Sequence, residues 1–216
     1  MFVADHGADA GQGAFAEPVA RSPISLPGPH ELRNGWRVAT RASTATLTLS
    51  DASSLTKVVV RAAADGPLAD TLPAFGRADR DGPVLRVGSG PGEWILLAAA
   101  PGDPLATALP QSSAEFVSVI DVTHGRALIR LTGADSARAL AKVCAVNLSD
   151  GKAPDGTALR TSVASVTTDI VRDDHDGTRS YLLHCERSSG QFLFDSLFEA
   201  GAEYGAETTG LAGHVI

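Results

Sequence analysis

The first half of the chain alternates between short β-patterned segments and short helical segments. Val38–Leu49 is rich in β-branched residues and alternates in its second part, which predicts a strand or a hairpin. Further strands are predicted at Leu55–Ala62, Val84–Val87 and Trp94–Ala98, the last two around a turn at Gly88–Gly92, and short helices at Pro67–Leu72 and Asp103–Leu109. Strands and helices therefore alternate along this half.

The second half repeats this order. Phe116–Val122 and Arg126–Leu131 predict a hairpin, because two β-patterned runs flank a short turn. A helix is then expected to start near Asp135, since apolar residues follow at helical spacing. These residues are Ala137, Leu140, Ala141 and Cys144.

Two more strands and a helix complete the second half. Thr161–Arg172 and Arg179–Glu186 are predicted as strands on either side of the turn Asp173–Gly177. The last helix carries its inward-facing residues along one side, and these are Leu193, Leu197 and Gly201, with Phe194 and Phe198 beside them.

Each half reads as strand, helix, strand, strand, helix, so we predict an α+β fold of two β-α-β-β-α halves with antiparallel sheets. The domain is expected to span residues 34–205, with halves at about 34–112 and 113–205. Residues 1–33 are dense in Gly and Pro, which predicts an arm without regular structure that is either disordered or extended across the surface of a partner chain. Residues 206–216 are expected to form a polar tail.

Composition narrows the functional classes. The 216 residues are 44% hydrophobic but only 5% aromatic, so the core must be built mainly from Ala, Val and Leu. The formal net charge is −7 and the basic residues are scattered, which argues against nucleic-acid binding. The N-terminus has no signal-peptide pattern, and no long apolar window is present. We therefore expect no membrane span and a cytoplasmic location.

The cysteines and histidines form no recognisable ligand set. Cys144 and Cys185 lie in apolar segments, which favours buried thiols in a reducing compartment, although a disulfide between them stays open. His184 is expected to be packed or solvated within a strand, and His124 to be a turn residue. None of the six histidines has the spacing of a metal-ligand motif; these are His6, His30, His124, His175, His184 and His214.

Two loops are superficially similar to binding motifs. Gly88–Gly92 lacks phosphate-loop spacing and precedes a strand, so a hairpin connection is favoured. Asp173–Gly177 resembles a calcium loop, but Arg172 and Leu183 fall where acidic ligands are required, so a solvated turn is favoured. G-x-S-x-G is absent. We expect no catalytic, cofactor-binding or metal-binding residue in this chain.

Several segments carry a likeness to a known family. The strongest are Gly90–Leu97 (GPGEWILL) and Val119–Cys144 (VIDVTHGRALIRLTGADSARALAKVC). Asn147-Leu148, Cys185–Ser188 and Arg21–Pro23 fit the same pattern. Together they resemble the gamma subunits of sarcosine oxidase, and the likeness is strongest over about residues 85–205.

The resemblance implies a fold, a multi-subunit complex and a distribution of the cofactors among its subunits. Its fold is that of the folate-binding aminomethyltransferases of the glycine-cleavage T-protein group. The family's heterotetramer demethylates sarcosine oxidatively to glycine, forming hydrogen peroxide and, with tetrahydrofolate, methylenetetrahydrofolate. FAD and FMN belong to its beta subunit, with FMN at the interface with alpha. NAD and the folate site belong to alpha and zinc to delta, so the resemblance implies no cofactor in gamma. Thr123 and Asn147 replace the family's usual Ser and Asp.

Two other functions stay open. The shared fold also allows a stand-alone folate-binding or aminomethyltransferase-like protein of one-carbon metabolism, because a fold alone does not determine function. A regulatory or scaffold domain outside one-carbon metabolism is the third possibility.

Overall fold

The computed structural model describes residues 18–98, 105 and 116–210. Its strands are β1 (Ala20–Arg21), β2 (His30–Arg33), β3 (Trp36–Ala39), β4 (Leu47–Asp51), β5 (Lys57–Arg61), β6 (Ala78–Asp81), β7 (Val84–Gly90), β8 (Glu93–Ala98), β9 (Ser118–Asp121), β10 (Arg126–Gly133), β11 (Ala158–Val163), β12 (Val166–Arg172), β13 (Ser180–Glu186) and β14 (Glu207–Thr209). The α-helices are α1 (Ser136–Ala141) and α2 (Gly190–Gly201), and single 3-10 turns lie at Ala69–Thr71, Arg187–Ser189 and Ala202–Tyr204.

The described strands form three sheets. A six-stranded sheet has the order β11-β12-β13-β10-β4-β14, and a five-stranded sheet has the order β6-β7-β8-β5-β9. Strands β1, β3 and β2 make a small third sheet in that order. Neighbouring strands are antiparallel except for the pairs β1–β3 and β4–β14.

The two large sheets pack face to face, and the helices cover the outer face of the six-stranded sheet. Strand β13 illustrates this layering, because successive side chains of a strand point to opposite faces of the sheet. Tyr181 and Leu183 lie in one core with Leu193 of α2. Leu182 instead lies in a second core with Leu97 of the five-stranded sheet. A strand that is apolar on both faces thus becomes the middle of a layered structure.

Close packing positions α2 on the sheet. A Cβ atom added at Gly190 would lie 2.7 Å from Cβ of Ala127 and 3.2 Å from Cγ of Pro23. Leu193 and Leu197 are fully buried, as their spacing predicts, whereas Phe198 lies at the helix surface. Both predicted α-helices are present, and Asp135 is the N-cap residue of α1. Helix α1 ends at Ala141, however, so Cys144 lies beyond it and forms an isolated β-bridge with Val163.

The predicted hairpin between residues 116–122 and 126–131 is wrong. Strand β9 pairs with β5 of one sheet, whereas β10 pairs with β4 and β13 of the other. The turn Val122–Gly125 therefore carries the chain between sheets. The local sequence pattern and the turn residues are typical of a hairpin. Strand β10 is buried on both faces, however, and it pairs with strands from distant parts of the chain.

The predicted single strand Thr161–Arg172 is two strands. Ala164 and Ser165 between β11 and β12 have φ angles of 48° and 66°, the left-handed pair that a two-residue hairpin loop requires. Such a loop is normally signalled by Asn or Gly, and neither residue is present here. The turn was consequently invisible in the sequence.

The first half differs from its prediction at several points. The segment Val38–Leu49 contributes to two strands, β3 and β4, which lie in different sheets. The helix predicted at Pro67–Leu72 is a single 3-10 turn, and β6 was not predicted. The helix predicted at Asp103–Leu109 falls outside the described residues, apart from the helical Leu105. Strands β5, β7 and β8 and the β7–β8 hairpin are confirmed.

The sheets do not follow the predicted halves. Strand β4 from the first half lies in the six-stranded sheet, and β9 from the second half lies in the five-stranded sheet. Each half thus gives a strand to the other's sheet, and the β-α-β-β-α arrangement of each half is not what the structure has. The coarser expectation, antiparallel sheets with few helices, describes the molecule.

Both ends of the described chain are more regular than expected. Strands β1 and β2 pair with β3, and Ile24 and Leu26 between them are buried in the core beside α2. The chain's own core therefore holds this part of the arm. In the expected polar tail, Glu207–Thr209 forms β14, which pairs in parallel with β4.

The structure also bears on the expectations for the two cysteines and for a membrane span. Cys144 and Cys185 are buried free thiols, so they form no disulfide. No helix in the described part of the chain is both long and apolar enough to cross a membrane.

Substitution of Gly88 by alanine tests the packing beneath the β7–β8 hairpin. A Cβ atom there would lie 2.3 Å from the carbonyl oxygen of Ala74, a backbone atom that cannot move aside freely. We expect Gly88→Ala to lower the free energy of unfolding by about 1–3 kcal/mol in urea titrations. Gly151→Ala, where the added Cβ meets nothing within 4 Å, is the control and should change it by less than about 0.5 kcal/mol. Equal effects of the two substitutions would contradict this account.

Lys57 gives the fold a pH dependence. Its side chain is fully buried, and its Nζ donates to the carbonyl oxygens of Ser53 at 2.7 Å and Leu55 at 2.8 Å. Burial lowers the pKa of Lys57 to about 7, although nearby Asp51 and Asp121 favour the charged form. Between pH 7 and about 10.5 the unfolded chain thus binds more protons than the folded one.

We therefore expect the free energy of unfolding to rise with pH across that window, by up to about 1.4 kcal/mol per unit from this group. Urea titrations at several pH values measure the slope. Lys57→Met should flatten it, whereas Lys152→Met, at an exposed position, should not. An unchanged slope in Lys57→Met would show that Lys57 is not its source.

Candidate functional site

A cleft of about 370 Å³ opens between the two large sheets. The five-stranded sheet lines it with Val59 and Arg61 of β5 and with Glu93 and Ile95 of β8. The six-stranded sheet contributes Arg126, Arg160, Thr167, Asp169, His184 and Glu186. The volume lies at the lower end of the range for small-molecule sites.

Strand register builds the inner wall of the cleft. Arg160 of β11 lies opposite Asp169 of β12, and Asp169 lies opposite His184 of β13. These three side chains therefore form one row across the sheet on the face towards the other sheet. Nε of Arg160 donates to Oδ1 of Asp169 at 2.6 Å, and Oδ2 of Asp169 lies 3.2 Å from Nδ1 of His184.

Glu93 extends this row to the second sheet. Its Oε1 accepts from Nη2 of Arg160 at 3.0 Å and from the Ser89 hydroxyl at 3.1 Å. Its Oε2 accepts from Nη2 of Arg61 at 2.8 Å, and Arg61 lies opposite Glu93 in the β5–β8 pair. Alternating charges thus connect the two sheets along one edge of the cleft.

The charge states of the row follow from burial and partners. Burial alone would raise the pKa of Asp169, but hydrogen bonds from His184 and Arg160 outweigh it and lower that pKa. The pKa of Glu93 is lowered in the same way, since Arg61, Arg160 and Ser89 outweigh its burial. Burial lowers the pKa of His184, and Asp169 offsets this only in part. At neutral pH the row therefore holds charged carboxylates beside a neutral imidazole.

His184 carries an unused hydrogen-bonding atom. The ring is 4% exposed, and its Nε2 is covered and has no hydrogen-bond partner among the described residues. Because an ionised Asp169 can only accept, Nδ1 of the neutral ring carries the proton and Nε2 is a free acceptor. A buried polar atom without a partner costs about 1–3 kcal/mol.

Charged side chains held in ion pairs dominate the described lining of the cleft. Among its described lining residues there is no serine, cysteine or lysine to act as a nucleophile. Glu93, Asp169 and Glu186 are each ion-paired with arginine. Within the described residues, no cluster of three His, Cys, Asp or Glu side chains is placed to hold a metal ion.

The calcium-like loop has a different role in the structure. Oδ2 of Asp173 is 2.5 Å from Nη2 of the buried Arg130, and its Oδ1 is 2.5 Å from Nη2 of Arg80. Asp174 pairs with Arg172 at 2.9 Å. Asp173 thus joins strands through two arginines and is buried, so the expectation of a solvated turn is wrong for this residue. Asp174 is partly exposed, and Asp176 and Gly177 at the tip of the turn are exposed.

The other described histidines, His30, His124 and His175, do not line the cleft. His124 stacks on Trp36 of β3, with ring centroids 4.7 Å apart. This contact packs the small sheet against the turn Val122–Gly125, which connects the two large sheets. His30 lies in β2, and His175 is bridged to Thr178 in its turn. His6 and His214 fall outside the described residues.

His184 is the residue whose role the sequence obscured most. Strand alternation placed it on the correct face, with Leu182 and Glu186, and it is packed rather than solvated. Its partner Asp169 is 15 positions earlier, in a strand whose start was hidden by the unrecognised turn at Ala164–Ser165. A histidine and an acid at matching positions of two predicted strands were the only available signal.

Comparisons with known proteins give a consistent family and fold. The GCVT N-terminal domain family matches residues 74–214, which is more than half of the 216 residues. One solved structure is the heterotetrameric sarcosine oxidase from Corynebacterium sp. U-96 in complex with pyrrole 2-carboxylate. The match has 24% identity and a TM-score of 0.64, and it covers 78% of this chain and 90% of that one.

A second solved structure is the glycine cleavage system aminomethyltransferase T from Bartonella henselae. Its TM-score is 0.63 at 17% identity, and the match covers 86% of this chain but only 56% of that one. No curated protein sequence matches the chain. At these identities the two structures show that the fold is aminomethyltransferase-like.

The tautomer of His184 can be measured directly. We expect long-range nitrogen–proton NMR spectra of the histidine-labelled chain at pH 7 to show a neutral ring with the proton on Nδ1. Asp169→Asn should abolish this preference, because an amide can either accept or donate. His175→Asn, in a distant turn, is the control and should leave the signals of His184 unchanged. A proton on Nε2 in the unsubstituted chain would contradict the assignment.

Proposed function

The chain belongs to the GCVT N-terminal domain family, and on that basis we propose that it is a non-catalytic subunit, in the gamma position, of a heterotetrameric sarcosine oxidase. The complex would oxidatively demethylate sarcosine to glycine, with formation of hydrogen peroxide and methylenetetrahydrofolate. The chain would contribute to assembly while its partners perform the chemistry.

The observation that carries this proposal is the difference in coverage between the two similar structures. The match takes in 90% of the oxidase chain and 56% of the aminomethyltransferase. A large part of the aminomethyltransferase thus has no counterpart in this match. The shared fold therefore accounts for almost all of the oxidase chain, which supports the proposed relation to that complex.

The chemistry of the cleft supports a non-catalytic role. Its described lining has no serine or cysteine nucleophile, and its carboxylates are occupied by arginine. We propose that FAD, FMN, NAD, tetrahydrofolate and zinc are held by the alpha, beta and delta partners. The composition of the chain, acidic overall and without a basic patch, supports protein partners rather than nucleic acid.

One exposed apolar surface is suited to a partner subunit. Strand β9 is at the edge of the five-stranded sheet, and an edge strand presents unpaired backbone groups. Ile120 on this strand is 47% exposed, and Phe116 just before it is 84% exposed. Ile120 lies within β9 and Phe116 lies two residues before its first residue, so both belong to the surface near this edge. We propose that a partner covers this surface.

A second candidate is a stand-alone folate-binding, aminomethyltransferase-like protein of one-carbon metabolism. The family and the open cleft with an unsatisfied histidine favour it. Calorimetry of the isolated chain with tetrahydrofolate separates the two candidates, because only this second one requires the chain to bind folate without partners.

Purification of the tagged chain from its native source tests the main proposal. We expect partner chains and flavin absorbance to accompany it, and the eluate to form hydrogen peroxide when sarcosine is added. A double substitution, Phe116→Ser with Ile120→Ser, should reduce the recovered partners at least tenfold. The control Phe75→Ser removes another exposed aromatic ring, 65% exposed, elsewhere on the surface and should leave recovery unchanged. A chain that elutes alone, monodisperse and colourless would overturn the proposal.

A further inference from the structure

The small sheet carries two arginines side by side on its outer face. In the parallel β1–β3 pair, Arg21 lies directly opposite Arg37. Trp36 and Val38, on either side of Arg37 in β3, are buried in the core that joins the two large sheets. Because side chains alternate along a strand, Arg37 and its neighbour Arg21 point away from that core, and both are exposed. Like charges at opposed positions of a strand pair repel each other.

No described carboxylate compensates these two charges. Glu31 is the only acidic residue in β1, β2 and β3. It lies opposite Val38, on the core-facing side of the sheet, and it pairs with Arg33. Within the part of the chain that the structure describes, neither Arg21 nor Arg37 forms an ion pair. The chain is acidic overall, so this face is a local exception in its charge.

The groups next to the two arginines do not offset them either. Nη2 of Arg187 donates to the carbonyl oxygen of Arg21 at 2.8 Å, so a third guanidinium group borders the pair. Burial raises the pKa of Asp51, whose carboxyl group is hydrogen-bonded to the Ser22 hydroxyl and lies near Lys57. This acid is thus weakened and has a cation of its own, and the surface beside Arg21 stays positive.

A pocket of about 180 Å³ lies against the two arginines. Its other lining residues are His30 of β2 and four residues of the β1–β2 connection, which are Ser22, Ile24, Ser25 and Leu26. Ile24 and Leu26 are buried in the core beside α2, which holds this wall of the pocket in place. Pockets for drug-sized ligands usually measure about 300–1,000 Å³, so the pocket is suited to a smaller group.

The polar groups of the pocket are suited to an oxyanion. A guanidinium group offers five N–H donors in a planar fork that matches the oxygens of a phosphate, and it has no acceptor. The hydroxyl of Ser25 can donate as well, and Nη2 of Arg37 lies 3.5 Å from Nδ1 of His30. This lining repels a cation, and a neutral ligand would leave both arginine charges uncompensated.

We propose that this pocket binds a phosphate group in its dianionic form, held between the guanidinium groups of Arg21 and Arg37. Two negative charges match the two arginines, whereas a carboxylate would compensate only one of them. The group can belong to inorganic phosphate or to a phosphate monoester of a larger molecule, because the arginines and Ser25 are exposed. The site does not depend on the proposed partner subunits, since the small sheet and its connection supply all of these side chains.

Phosphorus NMR titrations of the full chain at about pH 8, where phosphate is largely a dianion, test the site. We expect the signal of inorganic phosphate to shift on binding, with a low-millimolar dissociation constant at constant ionic strength. Dimethyl phosphate is a monoanion and should bind at least tenfold more weakly, and acetate should compete at least tenfold less well than phosphate. No binding of phosphate, or equal binding of dimethyl phosphate, would overturn the proposal.

Methyl phosphate and acetate identify the source of the anion. Methyl phosphate that binds as well as inorganic phosphate supports a monoester of a larger molecule, because the pocket then accepts a substituent. Binding of inorganic phosphate alone supports the free ion. Acetate that competes as well as phosphate would contradict the proposal, since it would indicate a carboxylate such as an acidic side chain of a partner.

Substitutions test the two arginines individually. Arg21→Gln and Arg37→Gln should each weaken phosphate binding at least tenfold, because each removes one of the two charges. Arg77→Gln is the matched control: Arg77 is also exposed and forms no ion pair among the described residues, so its loss should leave binding unchanged.

A stability measurement separates loss of binding from loss of the fold. Without phosphate, neither Arg21→Gln nor Arg37→Gln should lower the free energy of unfolding in urea titrations, because the two arginines repel each other. Retained phosphate binding in both of these variants would overturn the proposal. An equal loss of binding in Arg77→Gln would do so too, because it would show attraction to net charge rather than a site.

Discussion

The structure depends on the burial of both faces of the strand pair β10–β13. Leu183 and Ile129 point towards the helices, and Leu182 and Leu128 point towards the five-stranded sheet. A strand pair with two apolar faces must be covered on both sides. The helices satisfy one face and the second sheet satisfies the other, so the layers follow from this requirement.

The same two-residue alternation creates the cleft. The face between the sheets has an apolar row, Ala158–Val171–Leu182, and the next row along the strands is Arg160–Asp169–His184. The apolar row lies in the core that joins the two large sheets, whereas the charged row ends in a cleft. Arginine and carboxylate pairing keeps these charges stable at the edge of the core. The site is therefore a consequence of how the sheets pack, and it does not rest on a loop motif.

The candidate site lies outside the two loops that are superficially similar to binding motifs. Gly88–Gly92 and Asp173–Gly177 serve packing and ion pairing. The family and the two similar structures place the fold among aminomethyltransferase-like domains. Within that fold the candidate cleft lies between the two large sheets. An assembling subunit with a small-molecule site is compatible with all of these observations.

The sequence by itself determined the local elements with strong periodicity and the acidic, lysine-poor surface. Helix α2 and strands β5, β8, β10 and β13 follow from it, because their apolar spacing is a local property. Only the tertiary structure decided which strands pair, that β4 and β9 exchange sheets, and that His184 meets Asp169. These depend on contacts between distant segments, where many pairings satisfy the same local pattern and the burial of both faces selects one.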